Sequence, residues 1–455
     1  MFKNFAKSIS LSYWALFIVT LFCIVFSYFF VNWIKFNSPF YDDVDQYYCY
    51  LISLFKHHDL FFEKGYYGFW LSETSIHHFV PKVTYGMSLF YLPFFLIAEL
   101  LSKGNSTGYE SIYSWAIHIG CMLYGLLGLF FCRKTFLLFF SEKITAISLF
   151  IIFFGTNLFC YILINPELTH SILFLLISIF VYNTIKWYQS SQTKYFYIIC
   201  FLLGLISLIR PTELCLLIFP LLIGVSNFQS FKKKVYFILK LKYNLLFGLI
   251  LFILPLFPQL LYWKIQSGQW LYFSYGNDEH FFWKDPQLIN VLISYRKGWL
   301  VYSPLMALSL IGFIQLFKQK KDLFLGILVY FLINLYLISA WWDWSFGGSF
   351  GMRALVHVSA VLAIPLAYTM KWVIGKSNVV VSKLVVYITI IFLCSLNVFQ
   401  SNLYKHGIIS FDGMTKEAYW YTFLKKSYSE SDLLYLETLI KHPDYEQMKK
   451  GKRDN

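Results

Sequence analysis

Long apolar runs separated by short polar segments form the dominant pattern of this sequence. The first run, Leu11 to Trp33, contains no charged residue and is long enough to cross a bilayer at about 1.5 Å per helical residue. It is too long for the apolar part of a signal peptide, and no small-x-small cleavage site follows, so we interpret it as a retained span. Further apolar runs follow at roughly 86–101, 111–131, 144–163, 168–185, 195–209, 212–226, 243–263, 301–317, 323–340, 354–370 and 384–400. Lipid offers no partner to unpaired backbone groups and these runs exceed barrel strands in length, so the pattern predicts transmembrane helices.

The distribution of lysine and arginine predicts how these helices are oriented. Lys3 and Lys7 place the N-terminus in the cytoplasm. If every run crossed once, the basic segment 227–242 would lie outside, against the tendency of basic loops to stay cytoplasmic. If the short run 86–101 instead dips into the membrane and returns, every basic loop lies inside. The sequence therefore predicts an all-α polytopic membrane protein with about 11 transmembrane helices, a re-entrant segment and an outer C-terminus.

This orientation gathers the segments richest in polar residues on the outer face. They are 34–85, 164–169, 210–213, 264–300, 341–353 and 401–455. We treat residues 1–400 as one transmembrane domain, with its first outer loop at 34–85, and residues 401–455 as a short outer tail. A chain that collects its polar residues on one face of the membrane is expected to have its site there.

Composition and charge agree with a membrane protein. Of the 455 residues, 58% are hydrophobic and 22% aromatic, which is more apolar surface than one soluble core could bury. In a soluble chain the net charge of +14 would suggest nucleic acid, but here the basic residues orient the spans, and no nucleic-acid partner is expected. The eight cysteines form no C-x-x-C pair, so we predict neither a disulfide framework nor a zinc site.

Three carboxylates within four residues follow the first span: Asp42, Asp43 and Asp45. Their mutual repulsion raises at least one pKa unless a cation or a metal relieves it, so one of them could act as a general base or a metal ligand. The alternative is a solvated acidic loop in which Asp45 caps the next helix. Spacing alone does not decide between the two.

Cations and a histidine fall on the same outer face. Lys82 precedes the predicted re-entrant run, either to meet an anion or as an interfacial lysine that extends its amine to water. Glu167 and His170, three residues apart, would share a helical face beside the membrane, as site residues or in a surface turn. Arg210 either pairs with Glu213 or binds a phosphate, whose oxygens suit the guanidinium fork.

Two further arginines flank aromatic segments. Arg296 opens a span, and Arg353 follows the tryptophan- and glycine-rich segment 341–352, which contains Trp342. Tryptophans suit the membrane interface and also sugar stacking, and glycines let the backbone approach a ligand closely. Acidic groups and several cations at a lipid boundary fit a lipid-borne phosphate with a leaving sugar.

Taken in order along the chain, these motifs resemble the GT-C superfamily of membrane glycosyltransferases, and more narrowly the bacterial relatives of the protein O-mannosyltransferases (glycosyltransferase family 39-like). The matching stretches are Asp43-Val44-Asp45-Gln46-Tyr47-Tyr48, Pro81-Lys82 with 86–93, Pro166-Glu167 to His170, Arg210-Pro211-Thr212, Arg296-Lys297-Gly298-Trp299, and 341–351. Together they span most of the chain. Many relatives have Glu after the key Asp; here Gln46 stands there, so a metal role for that position is in doubt.

The resemblance implies a GT-C-type bundle with amphipathic helices in the first extracytoplasmic loop. It implies an inverting transfer of one sugar from a polyprenyl phosphate to an acceptor hydroxyl or amine, with a base in that loop. The base is expected to be Asp45, with Asp43 second. The residues expected at the donor phosphate are Lys82, Arg210, Arg296 and Arg353. The residues expected at the sugar or acceptor are Asp42, Tyr48, Glu167, His170 and Trp342.

The expected partners are the polyprenyl-phosphate-linked donor, membrane lipids, and an acceptor that is a protein, a lipid or a glycan. A divalent cation, Mg²⁺ or Mn²⁺, is the candidate cofactor. The expected location is a bacterial inner (plasma) membrane, with the active site facing the periplasm or the outside. The alternatives are a transporter or flippase for lipid-linked saccharides, and a polysaccharide ligase or polymerase. A transporter would favour inverted repeats and charges within spans, and neither is evident apart from Arg210.

Overall fold

The fold is helical, as the apolar runs predict. The computed structural model describes residues 10–30, 40, 42–62, 71–102, 106–276, 278–376 and 380–453. The α-helices are α1 Leu11–Phe30, α2 Asp42–Ile52, α3 Gly86–Leu101, α4 Ser111–Phe136, α5 Glu142–Phe154, α6 Leu158–Leu163, α7 Thr169–Ser190, α8 Thr193–Ile209, α9 Ile218–Leu222, α10 Phe228–Leu239, α11 Tyr243–Ile253, α12 Phe257–Ser267, α13 Leu288–Ile293, α14 Trp299–Tyr302, α15 Ala307–Gln319, α16 Lys321–Ala340, α17 Ser359–Lys376, α18 Val380–Lys405, α19 Lys416–Thr422, α20 Glu430–Leu439 and α21 Tyr445–Lys449. A π-turn, Ser53–His57, continues α2, and 3-10 helices occupy Pro211–Leu217, Pro304–Met306 and Arg353–Leu355. Strands β1 Leu71–Glu73 and β2 Phe79–Pro81 pair antiparallel between α2 and α3.

Among the residues that the structure describes, five helices are long and apolar enough to cross a membrane: α1, α4, α7, α16 and α18. A sixth is obtained if α10 and α11, whose axes meet at 81°, count as one bent span. Five shorter apolar helices are Gly86–Leu101, Thr193–Ile209, Pro211–Leu222, Pro304–Gln319 and Ser359–Gly375. This set of helices makes the chain compatible with an integral membrane protein.

Helices α1 and α4 are antiparallel. Arg133, in the last turn of α4, donates to the hydroxyl of Ser12 at 2.6 Å and stacks on the ring of Tyr13 at 3.4 Å. Both partners lie in the first turn of α1, so the end of α4 lies beside the beginning of α1. The segment between the two helices, which includes α2 and α3, therefore starts and finishes at the same end of the bundle.

Helix α3, the predicted re-entrant run, lies alongside α2 and its π-turn. Near its start, the Ser88 hydroxyl donates to the carbonyl of Tyr47 at 2.5 Å. Near its end, Glu99 forms an ion pair with Lys56. The two segments thus run side by side in the same direction, and both ends of α3 contact the segment that follows α1.

Helices α7, α8 and α16 carry basic residues at the end away from this region. Helices α7 and α8 are antiparallel neighbours joined by two residues, so Thr169 and Ile209 share one end of the bundle, and Lys186 and Lys194 lie near the other. Helix α16 likewise begins at Lys321. The opposite ends of these helices, at Thr169, Ile209 and Ala340, lie at the cavity described below.

Helices α15 and α17 pack at unusually close range because a glycine lies between them. A Cβ added at Gly312 would lie 2.0 Å from the carbonyl oxygen of Pro365. Small residues at such crossings let helix backbones approach each other, which is how helices pack in lipid. Helix α17 begins four residues after the 3-10 helix that carries Arg353.

The predicted basic loop at 227–242 is mostly helix α10. Asn227 begins it with a capping box, in which its side chain accepts from the Ser230 N–H at 2.8 Å. The helix combines exposed apolar side chains such as Phe228 and Tyr236 with the exposed amine of Lys232. Such a helix suits the headgroup layer of a membrane rather than a flexible connection.

The boundary predicted at residue 400 falls within α18, and the segment beyond it packs onto the body. Arg453 is fully buried, donates to the carbonyl of Trp341 at 3.0 Å and pairs with Asp285 at 3.1 Å. In return, the indole N–H of Trp344 donates to the Arg453 carbonyl at 3.0 Å. The described part of 401–455 is therefore a structural support for 341–353, because buried hydrogen bonds tie it there.

Candidate functional site

A cavity of about 620 Å³ opens at the end of the bundle where α7 begins and α8 ends. Its wall combines the first turns of α2, the residues between β2 and α3, the loop after α12, the end of α16 and the tryptophan- and glycine-rich segment 341–353. Six residues predicted from the sequence line it: Asp43, Lys82, His170, Arg210, Trp342 and Arg353. The fold thus brings together residues that are up to several hundred positions apart in the chain.

Helix α2 presents one face to the cavity. Asp43, Gln46 and Tyr47 line it, and these positions lie at i, i+3 and i+4 on the helix. Asp45 is two positions after Asp43, which places it about 200° away around the axis. The two carboxylates therefore cannot both face the cavity, and the structure turns Asp43 inward.

Asp43 forms an ion pair with Arg353 at the cavity wall. The guanidinium Nη1 donates to Asp43 Oδ2 at 3.1 Å. Burial opposes the charge of the arginine, but the nearby carboxylate outweighs it, and the pKa of Arg353 lies above its ordinary value. The pair joins the beginning of α2 to the 3-10 helix that follows the glycine-rich segment.

Lys82 forms the second ion pair of the cavity. Its amine lies 2.5 Å from Oε1 of Glu279, and its backbone carbonyl accepts from the hydroxyl of Ser274. Both acceptor and donor come from the loop after α12. These contacts fasten that loop, with its aromatic side chains, against the end of β2.

Arg210 has different surroundings. It ends α8, its guanidinium packs on the ring of Phe346 at 5.2 Å, and Nε donates to the hydroxyl of Thr212 at 3.3 Å. Phe346 has a left-handed φ of 57°, and Gly347 follows with a φ of +50°, so the turn that presents the ring needs a glycine. Within the described chain, no carboxylate forms an ion pair with Arg210. Its charge is available to an anion in the cavity.

Glu213 does not pair with Arg210, which was one of the two alternatives for that arginine. Instead its carboxylate accepts from Tyr330 at 2.8 Å, from Asn334 at 3.1 Å and from His357 at 2.9 Å. His357 in turn lies 3.4 Å from His170, measured between their Nδ1 atoms. A buried acid is thus connected through two imidazoles to the cavity.

Glu167 and His170 do not share a face, because α7 begins only at Thr169. The Glu167 carboxylate lies 2.5 Å from Nδ1 of His118, and its carbonyl accepts from Tyr91. This pair is buried within the bundle and does not line the cavity. Only His170 of the two is at the site.

Several other predicted residues lie away from the cavity. Asp45 accepts from the Tyr109 hydroxyl at 3.4 Å, and burial, only partly offset by that hydrogen bond, raises the pKa of Asp45 to about 6. Tyr48 stacks on Phe40 at 3.9 Å and donates to the carbonyl of Gly108. Asp42 begins α2, and its side chain lies outside the described part of the structure.

Arg296 lies behind the wall rather than on it. Its guanidinium is 6.0 Å from the Trp344 ring, and it is buried near Asp343 and Asp412, whose charges oppose the lowering of its pKa by burial. Lys297 donates to the carbonyls of Ser349 and of a residue in the C-terminal segment. This motif fixes the glycine-rich segment from beneath.

Two carboxylates and a histidine at or beside the cavity were not predicted as site residues from the sequence. Glu279 and Asp343 line it, and His357 lies behind His170. Asp343 lies inside the quoted tryptophan motif, and burial raises its pKa while the hydroxyl and N–H of Ser345 donate to it. A carboxylate between tryptophans was a usable signal, but His357, near the start of an apolar run, offered none.

Metal binding was left open by the sequence. Among the residues with described positions, no three His, Cys, Asp or Glu side chains are grouped so as to hold a metal ion. The charged residues that line the cavity are three cations, Lys82, Arg210 and Arg353, and three acidic residues, Asp43, Glu279 and Asp343.

The structure therefore defines a helical protein with apolar helices of membrane-spanning length and a charged, aromatic-lined cavity at the helix ends. Neither a protein-family model nor a curated protein matches the sequence.

Proposed function

We propose that this chain is an inverting GT-C-type glycosyltransferase that moves a sugar from a polyprenyl phosphate to an acceptor. The observation that carries the proposal is the composition of one cavity. Its wall holds the carboxylate of Asp43, oriented by Arg353, together with Arg210, which has no carboxylate partner in the described chain. A base for the acceptor proton and a cation for the leaving phosphate are the two groups that this reaction needs.

In the proposed reaction, the acceptor oxygen attacks the anomeric carbon as the bond from that carbon to the phosphate oxygen breaks. Asp43 takes the proton of the acceptor hydroxyl. The departing lipid phosphate gains negative charge, which the guanidinium of Arg210 offsets. Arg353 is a positioning residue, because its hydrogen bond holds the Asp43 carboxylate in place.

The remaining wall suits the rest of such a donor. The cavity is also lined by the aromatic residues Trp263, Tyr272, Phe273, Tyr275, Phe281 and Trp341. Aromatic faces stack on sugars and also contact the apolar chain of an isoprenoid, and Trp and Tyr residues favour the membrane interface. A donor with a charged centre and an apolar tail would be matched at both ends.

The arrangement of the helices supports a cavity on the extracytoplasmic side of a bacterial inner membrane. The basic ends of α7, α8 and α16 lie away from the cavity, which agrees with the positive-inside rule. Because α1 and α4 are antiparallel, α1 ends and α4 begins at the same end of the bundle. This supports the proposal that segment 86–101, which lies between them, does not cross the membrane. Eleven crossings would use the five long helices, α8, the pairs α5–α6 and α11–α12, and the helices that begin at 211, 304 and 359.

The test is to compare Asp43→Asn with Asp45→Asn, two neighbouring acids of one helix. Purified protein in liposomes receives undecaprenyl-phosphate hexoses and pentoses with cell-envelope extract as acceptor, and glycosidic product is counted. We expect Asp43→Asn to lower the transfer rate about 10²- to 10⁴-fold, because a general base contributes that much. Asp45→Asn should retain the rate within a few-fold, because Asp45 lies outside the cavity.

Transfer at the full rate by Asp43→Asn would refute the assignment of the base. If the liposomes instead carry the lipid-linked sugar across the bilayer without forming a glycosidic bond, the transporter alternative replaces the enzyme.

A further inference from the structure

Behind the cavity wall, a chain of hydrogen-bonding groups links a buried carboxylate to His170. Glu213 and His357 are almost fully buried, and Nε2 of His357 lies 2.9 Å from the carboxylate. Nδ1 of His357 lies 3.4 Å from Nδ1 of His170, and the two rings are parallel within 12°. His170 lines the cavity. The chain therefore runs from the protein interior to the ligand space.

The donors around Glu213 determine which nitrogens carry hydrogen. Tyr330 and Asn334 both donate to the carboxylate, so it acts as an ionised acceptor. His357 then donates to it from Nε2, and in a neutral ring the other nitrogen, Nδ1, is an acceptor. His170 must supply the hydrogen between the two Nδ1 atoms. Nε2 of His170 then carries no hydrogen, so its lone pair can accept a hydrogen bond from a ligand.

We infer that His170 is a hydroxyl-binding residue of the cavity, whose Nε2 accepts a hydrogen bond from the ligand because Glu213, acting through His357, fixes its tautomer. The ligand group is a hydroxyl of the transferred sugar or of the acceptor. Glu213 and His357 are positioning residues. The role in transfer rests on the proposed glycosyltransferase function, whereas the tautomer and the accessibility of Nε2 do not.

A second buried histidine–carboxylate pair provides the contrast. His118 and Glu167 also lie within hydrogen-bonding distance, but neither lines the cavity. If burial of a His–Glu pair served only stability, the two pairs would behave alike. If Glu213 instead fixes the tautomer of His170, substitution of Glu213 should change the reactivity of His170, and substitution of Glu167 should not.

The first test measures chemistry at His170 without any substrate turnover. Diethyl pyrocarbonate acylates unprotonated imidazole nitrogens, and peptide mass spectrometry follows each histidine of the intact, membrane-embedded protein. We expect modification of His170 at a rate between those of exposed His77 and buried His118, and a several-fold slower rate in Glu213→Gln. Glu167→Gln, the matched control, should leave the rate at His170 unchanged. No modification of His170, or an equal effect of both glutamine variants, would overturn the inference.

The second test uses two amide replacements of different reach. His170→Gln places an amide near the position of Nε2, whereas His170→Asn places it near Nδ1, where it can bond to His357 but does not reach the ligand. We expect His170→Asn to lower kcat/KM about tenfold or more and His170→Gln to recover most of the loss, because only the longer side chain can accept the hydroxyl hydrogen. Equal rates in the two variants would contradict the role of Nε2.

Binding measurements distinguish whether the hydroxyl belongs to the sugar of the donor or to the acceptor. If the sugar of the donor supplies it, the Kd of the donor rises in His170→Asn. If the acceptor supplies it, donor binding is unchanged and the KM of the acceptor rises. Wild-type protein that transfers no sugar at all would remove the proposed function, while the labelling result would still decide the tautomer.

Discussion

Arg210 and Arg353 line the same cavity, yet their electrostatic roles differ because of their neighbours. Arg353 has its charge balanced by Asp43 at 3.1 Å, so it acts mainly on the orientation of that acid. Arg210 is held by an aromatic ring and a hydroxyl, which orient the guanidinium without neutralising it. An oriented cation that forms no ion pair with a carboxylate in the described chain is the arrangement that stabilises charge developing on a ligand.

At the residue scale, Asp45 predicts a pH dependence of stability. Its pKa is about 6 in the folded protein against an ordinary value of 3.8. A protonated Asp45 therefore favours the folded state, and this contribution is complete below pH 3.8 and is lost as the pH rises through about 6. At pH 7 the ionised carboxylate costs stability, on the order of 1 kcal/mol because its partial exposure reduces the effect.

Asp45→Asn should accordingly unfold at a higher temperature than wild type at pH 7, by a few degrees, and the difference should fade towards pH 4. Thermal unfolding in detergent at several pH values measures it. Glu437→Gln, which removes an exposed carboxylate on α20, is the control and should show no such trend. A gain for Asp45→Asn that persists unchanged at pH 4 would contradict the burial of this acid.

The sequence predicted the types of charged residue near the cavity better than it predicted which of them face it. The three acids, the lysine and the arginines were identifiable by residue type and sidedness, but which acid faces the cavity depends on where α2 starts. With α2 beginning at Asp42, Asp43 and Asp45 diverge around the axis. Hydrophobic periodicity does not determine the first residue of a helix. The spacing in the sequence therefore could not decide whether Asp43 or Asp45 faces the cavity.

At the element scale, the close crossing of α15 and α17 is a point of low tolerance. At this crossing, a methyl group on Gly312 would collide with the carbonyl of Pro365, a backbone atom that cannot move aside alone. The 3-10 helix carrying Arg353 leads directly into α17 through residues 356–358. Separation of the two helices would shift the arginine that orients Asp43.

We therefore expect Gly312→Ala to lower the stability by about 1–3 kcal/mol, as overpacking of a well-filled contact does. Unfolding in a denaturant series measures it. Gly375→Ala is the matched control on α17, because a Cβ there meets nothing within 4 Å, and it should be neutral or slightly stabilising. Equal stability of the two variants would mean that α15 and α17 are less tightly packed than the structure has them.

The apolar runs predicted the existence of nearly every long helix, and they failed where helices break or where polar residues form helices. Run 144–163 is interrupted between α5 and α6, and run 243–263 between α11 and α12. The basic segment 227–242 was expected to be a loop because lysines cannot lie in lipid. A helix on the membrane surface satisfies the same constraint, and the capping residue Asn227 was the available signal for it.

At the scale of the whole molecule, the distribution of polar ends predicts opposite accessibility for two loops. Lys284 lies in the loop that contributes to the cavity wall, and Gln192 lies in the short connection between α7 and α8. Both side chains are exposed. In intact cells, a membrane-impermeant maleimide should label Lys284→Cys and spare Gln192→Cys until the membrane is permeabilised.

The eight native cysteines are buried or partly buried, so wild-type protein serves as the background. Labelling of both loops from the same side would contradict their placement at opposite ends of the bundle, and labelling of Gln192→Cys alone in intact cells would contradict the proposed outward orientation of the cavity.

The ion pair between Asp43 and Arg353 joins residues that are 310 positions apart. A ribosome delivers the acid early, before most of the helices that will surround it have entered the bilayer. The partner arrives only after α16 has been inserted. The ion pair, and with it the transfer activity proposed for this cavity, is therefore expected to form late in synthesis, so that truncated or stalled chains would lack it.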